Sequence, residues 1–393
     1  MKKFTSVLAL LLAMTLLLSA CGTSASKPED KKDENSNLET INVAFELPLT
    51  GGAGGWDGAL MRAGIEIGME MFAKDFEELG YKINPIINDH EGSADTASVN
   101  IVKDIEMYKT PLVFGTYTGP LSTMASVCEE NKVLLINGRA PGDSLVGLND
   151  WLYNTYPCYN LLCKTMAEYL YNEEGYRKIA SIGDSGATSK SQHDSFVAAW
   201  KDLGGEIVCD LEVASDATDY LSYCSQVIEA GAECVLLANA DDSLSVRQMG
   251  QFLQLGADKM GYISLGTGDV SFGKDFASNP CYVSMVRVYA TDEVKDNYTN
   301  NHKYQSYEYD AASTYVGVFV NAFMMMKQLF KYCNDNKLAI TGENLKAAMD
   351  ALGTFEIMGG SMSMMEGNTV KSPIDIYKGV GADVKVAASY YTD

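Results

Sequence analysis

INVAFELPLTGGAGGW, residues 41–56, runs an apolar stretch into a glycine-rich turn that ends on an aromatic ring. Residues 41–47 read as a buried β-strand. Behind the turn, Leu60, Gly64, Ile67, Met71 and Leu79 recur at helical spacing over 58–79. Strand, glycine loop and helix make the opening of a βα unit. A glycine-rich loop at the carboxyl end of a first strand lies where open α/β sheets bind ligands. Trp56 at its end has two readings, an aromatic that covers a ligand or one packed on its own lobe.

Outward from this stretch the pattern repeats. YKINPIIND (81–89) is a strand, and Pro85 within it predicts an edge or irregular position. Ala94, Ala97, Ile101, Ile105 and Tyr108 form one helical stripe. PLVFG (111–115), a helix over 120–131 and KVLLIN (132–137) continue the alternation. A Gly/Pro/Asp-rich stretch at 139–150 interrupts it, and then it restarts. Helices at 159–174, 189–203, 218–230 and 243–255 alternate with strands at 176–184, 206–213, 232–239 and 262–266. Repeated βα units imply parallel sheets covered by helices on both faces, and two series imply two doubly wound lobes. The remainder differs: a strand at 285–290, helices at 308–333 and 342–351, then short β segments. Such a tail predicts that the chain crosses between lobes more than once.

The first residues carry a separate signal. Met1-Lys2-Lys3 precedes an apolar run over 7–18, followed by Leu18-Ser19-Ala20-Cys21-Gly22. A basic start, a short apolar core and small residues at the end describe a signal peptide over 1–20. The run is shorter than the roughly 20 residues that span a bilayer. Leu18-Ser19-Ala20-Cys21 resembles the bacterial lipobox, in which the Cys is lipidated and becomes the new N-terminus. Two or more acyl chains would hold the protein stably at the membrane. Residues 21–40 are polar and charged, and read as a disordered tether.

About 350 residues remain, more than one core usually serves. The formal net charge is −22 and becomes −24 once Lys2 and Lys3 leave with the signal. An acidic body of this kind argues against nucleic acid or an anionic membrane surface as partner. With Cys21 assigned to lipid, Cys128, Cys158, Cys163, Cys209, Cys224, Cys234, Cys281 and Cys333 are left, without C-x-x-C or zinc spacing. Buried free thiols are expected.

Catalytic patterns are thin. Asp89-His90-Glu91 admits a metal or acid–base reading, but no second ligand stands at a helical offset, so a solvent-facing turn is expected. Gly183-Asp184-Ser185 resembles a hydrolase nucleophile block that lacks its late Asp-x-x-His. Gly266-Thr267-Gly268-Asp269 lacks a third glycine, since position 271 is Ser, and reads as a turn. No enzyme, cofactor or metal is expected.

LPLTGGAGGW with its following helix, Asp89, PLVFGTYTGPLS and VLLINGRAP together resemble the solute-binding proteins of branched-chain amino-acid ABC importers, the leucine/isoleucine/valine-binding type. The resemblance covers nearly everything from Ile41 onward. It implies a type I periplasmic-binding fold: two doubly wound parallel-sheet lobes joined by a three-strand hinge, with a ligand in the cleft and closure on binding. The lobes would comprise 41–155 with 287–356, and 156–286 with 357–393. Position by position, it assigns ligand contacts to Trp56, Tyr117, Thr118, Gly119 and Tyr304. Where the family offers a small residue and a Thr, this chain has Arg139 and Pro141; where it has a second-lobe Tyr, this chain has Thr188. Asp241 or Ala240 and Asp269 fall nearest the other pocket positions. Arg139 reads either as a bidentate partner for a carboxylate or as a solvated loop charge.

The expectation is therefore a monomeric lipoprotein, tethered through Cys21 on the extracytoplasmic face. It would capture an amino acid or similar small carboxylate and deliver it to an ABC permease. A ligand-sensing partner of a membrane receptor or kinase is the alternative on the same fold.

Overall fold

The computed structural model describes residues 38–51, 54–214, 217–239, 242–265, 279–381 and 383–391. Residues 1–37, with the signal segment, Cys21 and most of the tether, lie outside them, as do Asp241 and Asp269. Leu38–Asp393 make one compact unit.

The first sheet comprises β1 (Glu39–Leu47), β2 (Tyr81–Asp89), β3 (Leu112–Thr116), β4 (Leu134–Arg139) and β5 (Leu152–Asn154), in spatial order β2-β1-β3-β4-β5. All its pairings are parallel. Pro85 sits on β2, an edge strand, where its missing N–H removes no ladder bond from an interior position. Helices α1 (Gly54–Glu78), α2 (Ala94–Tyr108) and α3 (Thr118–Asn131) connect the strands. Alternation along β1 sends Ile41, Val43, Phe45 and Leu47 to one face and Ala44 to the other. The first face packs on α1, α9 (Tyr309–Asp335) and α10 (Gly342–Leu352); the second packs on α2 and α3.

The second sheet has order β15-β14-β10-β9-β8-β6-β7. Its parallel part comprises β6 (Lys178–Asp184), β7 (Glu206–Val213), β8 (Cys234–Ala238), β9 (Gly261–Leu265) and β10 (Pro280–Val286). Helices α4 (Tyr159–Asn172), α5 (Ala187–Asp202), α6 (Leu221–Glu229) and α7 (Asp242–Gln254) divide between its two faces, each over its own core. The tail adds β14 (Pro373–Val380) and β15 (Asp383–Tyr391) as antiparallel strands. The strand expected at 285–290 lies earlier, at 280–286, because the chain leaves the sheet after Val286 to return to the first core.

Three passages therefore join the two sheets: after β5, after β10, and before β14. The returning segment forms α8 (Asp292–Asn297), α9 and α10, then a small antiparallel sheet of β11 (Thr354–Ile357), β12 (Gly360–Met365) and β13 (Thr369–Lys371). The division expected at 356/357 falls inside this hairpin. Ile357, Met358, Met362 and Val370 are buried in the first core, and the second sheet resumes at Pro373. Two of the passages run together, with the Arg287 N–H on the Pro373 carbonyl at 2.8 Å and the Arg287 guanidinium on the buried Asp375 carboxylate at 2.8 Å. Tyr289 and Ser389 donate to the same carboxylate, so that charge is fully satisfied. Near the first passage, the Asp143 carboxylate accepts from the Asn160 N–H at 2.8 Å and from the Ser195 hydroxyl.

All eight described cysteines are free, and all but Cys209 are buried. Among the described residues, no helix is long and apolar enough to cross a membrane.

Helices α1 and α9 approach closely where α1 has glycines: a Cβ on Gly64 would stand 2.3 Å from the Val316 carbonyl oxygen. Gly64→Val should cost about 2–3 kcal/mol through overpacking, lowering Tm by several degrees. Gly250, inside α7 with nothing within 4 Å of a Cβ, is the control. Gly250→Ala should hold or raise Tm, by about 0.5–1 kcal/mol, when both variants are followed by thermal melting.

Candidate ligand site at the strand ends of the first lobe

The strand termini of a doubly wound sheet leave a crevice, and the turns after β1, β3 and β4 line it here. Leu47 pairs with Asp89, which brings the Asp89 carboxylate under the glycine-rich turn. It accepts the N–H groups of Leu49 at 2.9 Å, Thr50 at 3.2 Å and Glu91 at 2.9 Å, and the Thr50 hydroxyl. Burial pushes this carboxyl up, but those donors outweigh it and hold it below its ordinary value. The turn ends earlier than the sequence suggests, so Trp56 and Asp57 lie in the first turn of α1. There an acidic side chain suits the helix dipole.

Arg139 ends β4, paired across the ladder with Thr116. Its side chain is buried, so the reading of a solvated loop charge does not hold. The guanidinium carbon lies 3.8 Å from the centre of the Tyr315 ring and 5.8 Å from that of Tyr156. One terminal nitrogen lies 3.8 Å from Asp57 Oδ2, which also accepts the Tyr117 hydroxyl at 3.0 Å. Burial raises the Asp57 carboxyl above its ordinary value, and Arg139 with the Tyr117 and Tyr315 hydroxyls pulls it back in part. For Arg139, burial works against the charge, but Tyr315, Tyr156 and Asp57 together hold its pKa above the usual value. Tyr117 itself sits at φ +60°, where a side chain is strained. Its N–H reaches the Arg139 carbonyl at 3.3 Å, and its O–H bond to Asp57 helps to offset that strain.

An aromatic wall adjoins the charges. Trp56 stacks on Tyr307 with centroids 5.6 Å apart and planes 6° off parallel, and Tyr307 stacks on Tyr304 at 6.2 Å. Trp56 also meets the edge of Tyr315 at 5.0 Å. A π-helical turn at Tyr298–His302 presents this segment. The Tyr298 hydroxyl donates to the Tyr307 carbonyl at 3.0 Å, and His302 lies between Glu66 and Glu70 of α1.

Of the residues expected at the site, Trp56, Tyr117, Arg139 and Tyr304 are thus linked through Asp57, Tyr307 and Tyr315. Both readings of Trp56 keep a footing, since it packs on its own lobe yet is only half-buried. Thr118 and Gly119 open α3, and a Cβ at Gly119 would meet nothing within 4 Å. Thr188 is half-buried in the first turn of α5, on the second lobe. Beside it, buried Gln192 donates to the Asn239 and Leu265 carbonyls at 3.2 and 3.0 Å, tying together the ends of β8 and β9. Sequence reading missed Asp57, Tyr156, Tyr307 and Tyr315. Asp57 reads as an ordinary helix-start acid, and Tyr315 opens an apolar run that reads as core.

His90 corrects the expectation of a solvent-facing turn. It is completely buried, because the chain folds back after β2 under the β3–α3 turn. Its Nδ1 accepts the Gly92 N–H at 3.0 Å, so Nε2 carries the proton and donates to Thr116 Oγ1 at 2.9 Å. The Thr116 hydroxyl in turn donates to the Glu46 carbonyl at 2.8 Å. Ser185 is exposed on the other lobe, so His90 cannot serve it as a base. Among the described residues, no group of three or more His, Cys, Asp or Glu is placed to hold a metal ion.

Two α/β lobes, joined by three passages and carrying a charged and aromatic site at the strand ends, define a two-lobe binding protein. The chain belongs to the periplasmic binding protein family, whose model matches residues 40–383. The Leu/Ile/Val-binding protein homolog 3 of Brucella melitensis is 28% identical over 216 residues, 53% of this chain and 57% of that protein, so the match spans little more than half of each. The branched-chain amino-acid substrate-binding protein LivJ of Streptococcus pneumoniae, solved with isoleucine, superposes with a TM-score of 0.72 at 16% identity, over 90% of this chain and 99% of that one. A solute-binding protein of an ABC transporter from Rhodopseudomonas palustris, solved with 3,4-dihydroxybenzoic acid, gives 0.70 at 17% identity, over 90% and 97%. The fold is a type I periplasmic binding fold, and the family is one of binding proteins rather than enzymes.

Beneath the site lies a buried acid cluster. Asn88 donates to both Glu46, at 2.7 Å, and Asp104, and Asn100 donates to Glu46 at 3.2 Å. Burial raises Glu46 to about 7 and Asp104 to about 6. Burial also lowers His90 to about 4. A raised carboxyl binds its proton more tightly folded than unfolded, so Glu46 costs stability as pH rises from about 4.5 to about 7. At about 1.4 kcal/mol per pH unit, that loss is roughly 3 kcal/mol for Glu46. His90 acts oppositely, adding stability as pH rises from about 4 to 6.5. Glu46→Gln should melt higher than the parent at pH 8 and near it at pH 4.5; equal Tm differences at both pH values would contradict the burial of an ionising Glu46.

Proposed function

We propose that the chain is the extracytoplasmic solute-binding lipoprotein of an ABC importer. It is held to the outer face of the cell membrane through lipidated Cys21 and captures an amino acid or similar small carboxylate between its lobes. The observation that carries the ligand class is Arg139: a cation at the end of β4, stacked on Tyr315 and bordered by the Trp56 wall. A guanidinium in that setting is preorganised to take a carboxylate through parallel hydrogen bonds, while the open N–H groups of α3 favour the same charge. The aromatic wall suits the ligand's apolar portion.

Export fits the rest. The signal-like start, the Leu18-Ser19-Ala20-Cys21 site and the polar segment to Thr40 provide an anchor and a tether. Capture proceeds by closure: a ligand that bridges the lobes contributes contacts only in the closed state, and so shifts the population toward it. Trp56, Tyr117, Thr118, Gly119, Arg139 and Tyr304 supply the first-lobe contacts. Thr188 with Asp241 and Asp269 supplies those of the second. The closed monomer then docks on the permease.

Isothermal titration of the purified body against amino acids and small carboxylates tests the ligand class, and binding to none of them sinks it. Arg139→Lys keeps the charge beside Asp57 but loses the planar fork. It should weaken the best ligand by about tenfold or more while melting close to the parent. Cys21→Ser should abolish metabolic labelling by fatty acid and release the protein from the membrane fraction; retained labelling would overturn the anchor.

A further inference from the structure

We propose that Asp57 is the charge-selecting residue of this site: it neutralises Arg139 from within, so that the first-lobe half-site takes ligands of no net charge and disfavours free anions. The inference rests on the reading of a carboxylate-binding cleft, and concerns which carboxylates that cleft accepts.

The geometry carries the argument. Arg139 and Asp57 are both buried, 6% and 8% exposed, and their charged atoms lie 3.8 Å apart. The Tyr117 hydroxyl donates to the Asp57 carboxylate at 3.0 Å, and the Arg139 guanidinium beside it favours the ionised acid. Arg139 is therefore not a bare cation waiting for an anion. Any carboxylate that reaches it also meets the field of Asp57. For a ligand with an added ammonium group the two charges find opposite partners, whereas a simple anion brings a second negative charge to a pair already balanced. Like charges at such distances are disfavoured, and that repulsive element is what separates the zwitterion from the anion. His90 packs on Tyr117 as a neutral ring, at 5.6 Å.

Two readouts test this. The first needs no ligand. Trp56 is the most exposed of the three tryptophans, with Trp151 7% exposed and Trp200 completely buried. It stands immediately before Asp57 in the chain and meets Tyr315, which carries Arg139 on its face. In Asp57→Asn the half-site becomes cationic. Quenching of fluorescence by iodide should then rise about two- to threefold while quenching by neutral acrylamide stays the same, as expected for a fixed charge within a Debye length. In Trp56→Phe backgrounds the difference should vanish. An iodide constant unchanged by Asp57→Asn overturns the proposal.

The second readout compares phenylalanine with 3-phenylpropanoate, and leucine with 4-methylpentanoate, by calorimetry. The parent should prefer the zwitterion in each pair by at least about tenfold, and Asp57→Asn should shrink that preference by at least about tenfold (about 1.4 kcal/mol). Unchanged discrimination in the variant overturns the proposal. If no member of either pair binds while the iodide response still rises, the amino-acid reading fails and the role of Asp57 stands.

Discussion

A guanidinium buried among tyrosines is the constraint on which the first lobe depends. Removing Arg139 from water costs several kcal/mol unless its charge is matched and its donors are used. The matching comes from parts of the chain far apart in sequence: Asp57 from α1, Tyr117 from the β3–α3 turn, Tyr156 from the first passage between lobes, and Tyr315 from α9. Each element must be in register for the others to hold. The close approach of α1 and α9 at Gly64 serves the same end, since both helices then start at the ligand edge of the sheet.

Rigidity here has a purpose that follows from the fold. A binding protein that closes around its ligand gains selectivity when half of its site is formed beforehand, because little ordering remains to be done on binding. The aromatic wall, the strained Tyr117 and the bonds that tie Asp89 to the glycine-rich turn are all internal to the first lobe. Three passages of the chain join this lobe to the second. Two of them are bound side by side through Arg287 and Asp375, and the third is flanked by Asp143, whose carboxylate caps α4 and touches α5.

Most of the element order was legible because it rests on local signals. The βα alternation, the edge position of β2 from Pro85 and the long helix over 309–335 all follow from periodicity and backbone chemistry. Short elements such as β5 and β13, three residues each, carry too little pattern to be read. The strand at 280–286 was displaced because MVRVYA has strand composition, while pairing with β9 and β14 decides where the ladder runs. His90 was misread for a similar reason: a polar residue after a strand is usually exposed, and only the fold-back of the chain buries it.

The sequence by itself determined the two-lobe α/β architecture, because the alternation of strands and helices is encoded in residue spacing along the chain. Tertiary structure alone decided what Arg139 is. Its partners stand at positions 57, 117, 156 and 315, and burial together with a neighbouring carboxylate is a property of packing. A charge that reads from the sequence as partner to a ligand's carboxylate or as solvated is in the folded protein buried, 3.8 Å from the Asp57 carboxylate.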